Sequence, residues 1–246
     1  MQPVSNFEPT AATDNGNPAK LSPELASLFP AGVIAAEVTV PASSGLLTPG
    51  ELQFISHCAE KRIQDFTAGR ASARRALCEM GIHDFSLLSD KDRAPLWPAS
   101  TVGSITHTQG YGAAVVAHRR DSAGLGLDCE VIDSVDEELW SRICTPPELQ
   151  RLAQLPPVER GRQAALIFAA KEAFYKFQFP LTREWVGFED VAIEPLAWPA
   201  AAGSLRIVPQ KKLPLDAALV AALTSRFQFR ERWVITGFSA PNQVRL

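Results

Sequence analysis

Gly126-Leu127-Asp128-Cys129-Glu130 alternates small or acidic residues with apolar ones, and the alternation extends to Leu125 and Val131. A period of two is the mark of a half-buried strand, and it places Asp128 and Glu130 on one face with both carboxylates pointing the same way. Downstream, Lys171-Glu172-Ala173-Phe174-Tyr175-Lys176 reads as helix, where Glu172 and Lys176 are four apart and share a face. A strand and a helix meeting on these faces would gather three carboxylates and a pair of lysines. That set offers hard oxygens for a divalent metal, magnesium first, and ammonium groups for the charge of a polyphosphate. Each stretch also has an ordinary reading: a solvated strand face for Asp-x-Glu, and a surface ion pair for Glu172 with Lys176. Two carboxylates at i, i+2 repel unless a cation lies between them. The arc covered by Phe168, Ala169, Ala173, Phe174 and Phe177 implies a mostly buried helix, whose polar residues need partners.

Other residues suit an anionic ligand. Lys61-Arg62, Arg70, Arg74-Arg75, Lys91 and Arg93 form a basic cluster in a chain whose 24 Lys and Arg against 27 Asp and Glu leave a net charge of −3. Local clustering without a global basic field fits a small anion and excludes nucleic acid. His107, closing the strand Gly103-Ser104-Ile105-Thr106-His107, is open to two readings, a phosphate partner or a structural histidine. There is no GxxxxGK[ST] phosphate loop and no convincing Ser/His/Asp arrangement.

The elements that must hold these residues are those of an α+β chain. Residues 1–20 are expected to be a disordered leader, with folded sequence from about Leu25 and a first strand from Val33 to Val40. Thr48-Pro49-Gly50-Glu51 opens a helix that continues, with a possible break, to Met80. Asp90 to Pro98 is an irregular loop because of its prolines, and strands at 103–108 and 112–118 flank a Gln109-Gly110 turn. Helices then fill the stretch from Ser134 to about 177, Pro180 ends the long one, and strands follow at 186–193, 205–208 and 232–239. Helix-then-strand recurs, Phe66 to Leu77 with Ala113 to Ala117 echoing Phe168 to Phe177 with Trp233 to Gly237, which suggests a duplicated lobe. The four cysteines have no zinc spacing and read as free thiols in a reducing compartment. No secretory signal and no membrane-length apolar run is present, so a cytoplasmic location and no membrane contact are expected.

Taken together and in order, Phe66-Thr67-Ala68-Gly69-Arg70, Ala94-Pro95-Leu96-Trp97-Pro98, Gly103 to Thr108, the Asp128 motif and Phe168 to Lys176 resemble the 4′-phosphopantetheinyl transferases. The likeness covers roughly residues 48–190 and is to the two-lobed class that activates surfactin and enterobactin synthetases. It implies two similar lobes related by a pseudo-twofold, each of helices packed on a small antiparallel sheet, with the active site at their interface. The N-terminal lobe would be residues 21–122, binding the coenzyme A nucleotide, and the C-terminal lobe 123–246. Asp128, Glu130 and Glu172 would take the places of the magnesium ligands, with manganese as the alternative ion. Glu172, Lys176 and Asp128 would be catalytic, Lys176 holding the pyrophosphate with Lys171 beside it. Arg62 and Arg70 would meet the 3′-phosphate, Lys91, Asp92 and Arg93 the adenosine, and Thr106 with His107 the nucleotide phosphates. Trp185 would border the pantetheine channel, and Cys129 would face away from the metal.

The implied reaction is Mg-dependent transfer of 4′-phosphopantetheine from coenzyme A to a serine of an apo carrier protein, releasing 3′,5′-ADP. The carrier is expected to dock near Leu139 to Arg162, where apolar residues alternate with Arg142, Arg151, Arg160 and Arg162, although the same stretch also reads as plain packing helices. A monomer is expected. The rival readings are a non-catalytic coenzyme A-binding module and a magnesium-dependent pyrophosphate hydrolase.

Overall fold

The computed structural model describes residues 18–39, 44–132 and 134–242. Its N-terminal half forms β1 (Lys20–Leu21), α1 (Pro23–Ala26), β2 (Ile34–Thr39), α2 (Pro49–Ile55), α3 (Glu60–Glu79), β3 (Thr101–Thr108) and β4 (Tyr111–His118). The strands make an antiparallel sheet in the order β1-β2-β4-β3. Thr48 and Glu51 form a capping box at the head of α2, with Pro49 at the first position, which satisfies amides that the first turn leaves without helical partners. Glu51 then does more than cap, since it is fully buried, takes Arg74 at 2.8 Å and accepts the Leu87 amide at 3.0 Å. The break allowed for in this helical stretch falls here, because Ala59 is extended and starts α3 afresh. Small residues let α3 lie directly on the sheet: a Cβ on Gly112 would come within 2.6 Å of the Ala68 Cβ.

The C-terminal half contributes β5 (Ser122–Val131), α4 (Glu137–Ile143), α5 (Pro146–Gln154), α6 (Pro157–Thr182), β6 (Val191–Pro195), β7 (Ala202–Pro209), α7 (Ala217–Ala221), β8 (Thr224–Phe229) and β9 (Trp233–Pro241). Its sheet runs β5-β9-β8-β7-β6, again antiparallel. The order of elements repeats that of the first half. A strand (β2 or β5) leads into a long helix (α3 or α6), and a later strand (β4 or β9) returns antiparallel beside the first. The molecule is thus α+β with two antiparallel sheets, each packed with helices.

One core joins the halves. Leu125, Leu127 and Cys129 from β5 and Ile235 from β9 pack with Tyr111, Ala113 and Val115 of β4 and with Leu25 and Phe29. Each fully buried Leu or Phe contributes about 2 kcal/mol, so this shared core holds the halves firmly together. Beside it, β3 and β5 run alongside each other without a backbone ladder. The Leu127 amide donates to Ser104 Oγ at 3.0 Å and the Cys129 amide to Thr106 Oγ1 at 3.1 Å.

Several expectations change. Lys20, the last residue of the expected leader, pairs with β2 alongside Leu21, while residues 1–17 lie outside the described residues. Pro180 does not end the long helix. Only its own N–H is missing, so α6 runs on to Thr182 and stops where Arg183 turns left-handed, at φ 59°. β8 and α7 were not expected; β8 is short, and α7 is a five-residue helix begun by the Asp216 cap.

Candidate active site

Gly126 and Asp128 face α6, on the side of β5 opposite the shared core. A Cβ on Gly126 would lie 2.0 Å from the Ala173 carbonyl oxygen, so strand and helix touch main chain to main chain. Asp128, one strand step on, is 4% exposed. Its Oδ1 accepts from Thr106 Oγ1 at 3.0 Å and from Lys176 Nζ at 2.6 Å, whereas its Oδ2 is buried with no partner. Burial lifts the Glu130 carboxyl to a pKa of about 8, with Asp128 and Glu172 adding to the rise. Glu172 is raised from the ordinary carboxylate value by burial and then by Asp128. Burial works against the Lys176 ammonium, but Asp128, Glu172 and Glu130 together hold its pKa above that of an ordinary lysine.

This is a carboxylate cluster short of positive charge. Among the described residues, no three carboxylate, imidazole or thiol groups enclose a cation by themselves. Magnesium does not need such a cage, because it keeps waters and shares phosphate oxygens of a substrate. A partnerless buried Asp128 oxygen beside two carboxyls pushed upward is an all-oxygen donor set that a hard divalent ion would relieve.

Glu172 and Lys176 open on a cleft of about 980 Å³ between the two halves, while Asp128 and Glu130 sit behind them and do not line it. Glu172, Tyr175 and Lys176 of α6 form one wall; Arg62 and Arg70 of α3, His107 of β3, and Asp92 and Arg93 of the loop between α3 and β3 form the other. Arg62 Nη1 lies 3.0 Å from His107 Nε2, and His107 Nδ1 is 4.0 Å from Asp65. Burial, with Lys176 next, holds the His107 imidazole below its usual range, so it is neutral at neutral pH. Arg70 is nearly buried, donates to the Leu87 carbonyl at 2.7 Å and to Ser89 Oγ at 2.9 Å, and lies 4.2 Å over the Phe66 ring. Burial brings its pKa down to about 10, which leaves the guanidinium charged.

Residues 50–117 match the family model of the 4′-phosphopantetheinyl transferase N-terminal domain, and residues 124–234 match that of the 4′-phosphopantetheinyl transferase superfamily. The 4′-phosphopantetheinyl transferase Npt of Nocardia iowensis is 36% identical over 69% of this chain and 75% of its own length. This chain belongs to the 4′-phosphopantetheinyl transferase family. Other relatives of this transferase are Svp of Streptomyces mobaraensis, 33% identical over 70% of this chain and 72% of its own, and enterobactin synthase component D of Salmonella typhimurium, 35% identical over 75% and 74%. A solved holo-(acyl-carrier-protein) synthase from Bacillus anthracis covers 50% of this chain and 99% of its own at 17% identity and a TM-score of 0.38, too slight a likeness to bear on function.

Not every expected residue of the transferase reaches the cleft. Lys171 points the other way: it is 2% exposed, and its ammonium donates at 2.7 Å each to Glu148 and to the carbonyls of Ile143 and Phe188. Three such acceptors saturate a lysine, so Lys171 ties α5 and α6 together rather than reaching a pyrophosphate. Thr106 is 1% exposed, and its hydroxyl serves Asp128 and the Cys129 amide, so it sets the carboxylate's position instead of binding a phosphate. Lys91 is exposed and is not among the residues lining the cleft. Trp185 stands at the rim, 76% exposed and 5.1 Å from the Tyr175 ring, without lining the cleft itself. In the expected docking segment Trp140, Ile143 and Leu152 are buried in the core. Arg151 and Arg160 donate to backbone carbonyls, and Arg162 lies over Phe229.

Sequence reasoning missed Glu148, Tyr175 and Arg183. Pro147-Glu148 looked like a helix start, which it is, but nothing local shows that Glu148 also accepts from Lys171 and from the Ile193 amide. Tyr175 lines the cleft and stacks on Phe179 four residues on, a spacing that the helix pattern does contain. Arg183 lines the cleft from just beyond α6.

Proposed function

We propose that this transferase moves the 4′-phosphopantetheine group of coenzyme A to a serine hydroxyl of an apo carrier protein and releases 3′,5′-ADP. The observation that carries the reading is Asp128: a buried carboxylate with one oxygen on Lys176, which lines the cleft, and the other partnerless. Asp128, Glu130 and Glu172 would hold magnesium, which when bound offsets the negative charge around the reacting pyrophosphate.

The rest of the chemistry falls to side chains. Lys176 stabilises the departing 3′,5′-ADP as the bridging phosphorus–oxygen bond breaks. Glu172 takes the proton from the serine hydroxyl as its oxygen bonds to the phosphorus. Arg62, Arg70 and the neutral His107 receive the phosphorylated nucleotide end, and positioning contributes much of the acceleration. On the stretch from Leu139 to Arg162, Leu139 and Arg142 are exposed and available for an acidic carrier helix.

Incubation with coenzyme A, magnesium and an apo carrier protein tests the reading. Phosphopantetheine mass on the carrier serine is the expected result. Release of 3′,5′-ADP without carrier would point to hydrolysis instead, and binding of coenzyme A with neither product to a non-catalytic module.

A further inference from the structure

Arg183 occupies a position where glycine would be at ease. It closes α6 in the left-handed region at φ 59° and ψ 17°, a conformation that L side chains rarely adopt. Its side chain crosses to the other half of the molecule. Nη1 lies 2.5 Å from Asp90 Oδ2 and 3.8 Å from Asp92 Oδ2, and the guanidinium passes 5.6 Å from the Phe179 ring.

Asp90 is equally committed. Its Oδ1 accepts the amides of Asp92 and Ala94, both at 2.9 Å, and its carbonyl accepts the Arg93 amide at 3.0 Å. One oxygen therefore shapes the loop 90–94, and the other grips Arg183 from across the cleft mouth. That loop supplies Asp92, Arg93 and Ala94 to the cleft wall. It has no regular structure of its own beyond the Ser89–Pro95 bridge, so its shape depends on these contacts.

We infer that the Asp90–Arg183 pair is a clasp between the lobes that pre-shapes the loop 90–94 for coenzyme A, making Arg183 a positioning residue for substrate binding. The inference rests on the function proposed above. A binding wall that is only partly populated in its competent shape weakens apparent affinity by that fraction, so holding the loop tightens binding without any contact to the ligand. The loss should appear in the equilibrium affinity for coenzyme A.

The test measures equilibrium binding of coenzyme A to the full chain, for the wild type, Asp90→Asn, Arg183→Gln and the double variant. Asp90→Asn keeps an oxygen for the loop amides and removes only the charge that Arg183 meets. Each single change should weaken coenzyme A binding about three- to fivefold, the scale of a partly exposed ion pair, and the double should be no worse than either. KM for coenzyme A should rise more than kcat falls. Arg183→Gly guards against a purely structural effect: glycine suits the left-handed backbone, so this variant should melt no lower than the wild type and still bind coenzyme A more weakly.

Additive losses in the double variant would overturn the clasp. Tighter binding by Asp90→Asn with weaker binding by Arg183→Gln would also overturn it, showing that Arg183 meets the substrate phosphates directly. Wild-type affinity in every variant would overturn the clasp alone, whereas a wild type that does not bind coenzyme A would fail the functional reading instead.

Discussion

Asp128 meets different needs with its two oxygens, and a substitution can separate them. Asp128→Asn keeps the size of the side chain and an oxygen for the Thr106 hydroxyl, but it loses the charge that faces Lys176. Magnesium-dependent transfer should fall by at least about a hundredfold, while circular dichroism and the melting transition stay close to the wild type. Wild-type-like turnover would remove Asp128 from the metal seat. Arg62 poses a separate question, because its guanidinium rests on the His107 ring at the nucleotide end of the cleft. Arg62→Ala should weaken binding of coenzyme A about tenfold and of 3′-dephospho-coenzyme A far less, the difference being one charged hydrogen-bond partner. Equal losses in calorimetric titrations of the two ligands would refute a 3′-phosphate role. Cys129, between the two acidic residues, takes no part in this chemistry: it is buried, and burial, with Asp128 and Glu130 next, pushes its thiol well above the usual range.

At the level of elements, the site depends on how closely α6 approaches β5. Gly126→Ala would drive a methyl into the Ala173 carbonyl, at 2.0 Å before relaxation. It should cost about 3 kcal/mol in urea unfolding and lower activity beyond that loss, because Asp128 and Glu172 would be forced apart. β5 and α6 were both legible in the sequence because each has a clean period: alternation from Leu125 to Val131, and a broad apolar arc from Phe168 to Phe177. The placement of Asp128, Glu130, Glu172 and Lys176 near one another follows from those faces. Lys171 was not legible for the opposite reason. A helical pattern says that a lysine adjoins Glu172, but its partner Glu148 is 23 residues away and the carbonyls that complete its shell belong to other elements. Thr106 is similar, since alternation shows which face it takes but not that a strand 22 residues on will claim its hydroxyl. Pro180 misled because a proline removes a single helical N–H and not the turn that follows it.

At the scale of the whole molecule, the two halves are joined, among the described residues, by the shared core and by ionic links at two places. One is the Arg183 pair at the cleft mouth. The other sets Arg230 2.7 Å from Glu37 and 3.3 Å from Glu24, with the Tyr111 hydroxyl also donating to Glu37. Arg230→Ala would leave Glu37, three-quarters buried, without its cation. The melting temperature should fall by about 2–6 °C, in a single transition seen alike by circular dichroism and tryptophan fluorescence. Two separate transitions would show that the halves unfold independently, against the shared core of Leu127, Cys129, Val115 and Phe29. The seam between β3 and β5 has a consequence of a different kind. Both strands end their sheets, and a sheet's outermost strand is a template on which another chain can add itself. Here the Ser104 and Thr106 hydroxyls occupy the outward amides of Leu127 and Cys129, so each margin shields the other. Among the described residues the other two margins are β1, two residues long, and β6, whose Ile193 amide donates to Glu148 and whose Ile193 carbonyl accepts from Arg151 before Pro195 finishes the strand. Building the molecule from two joined sheets thus also guards it against self-association along the strands.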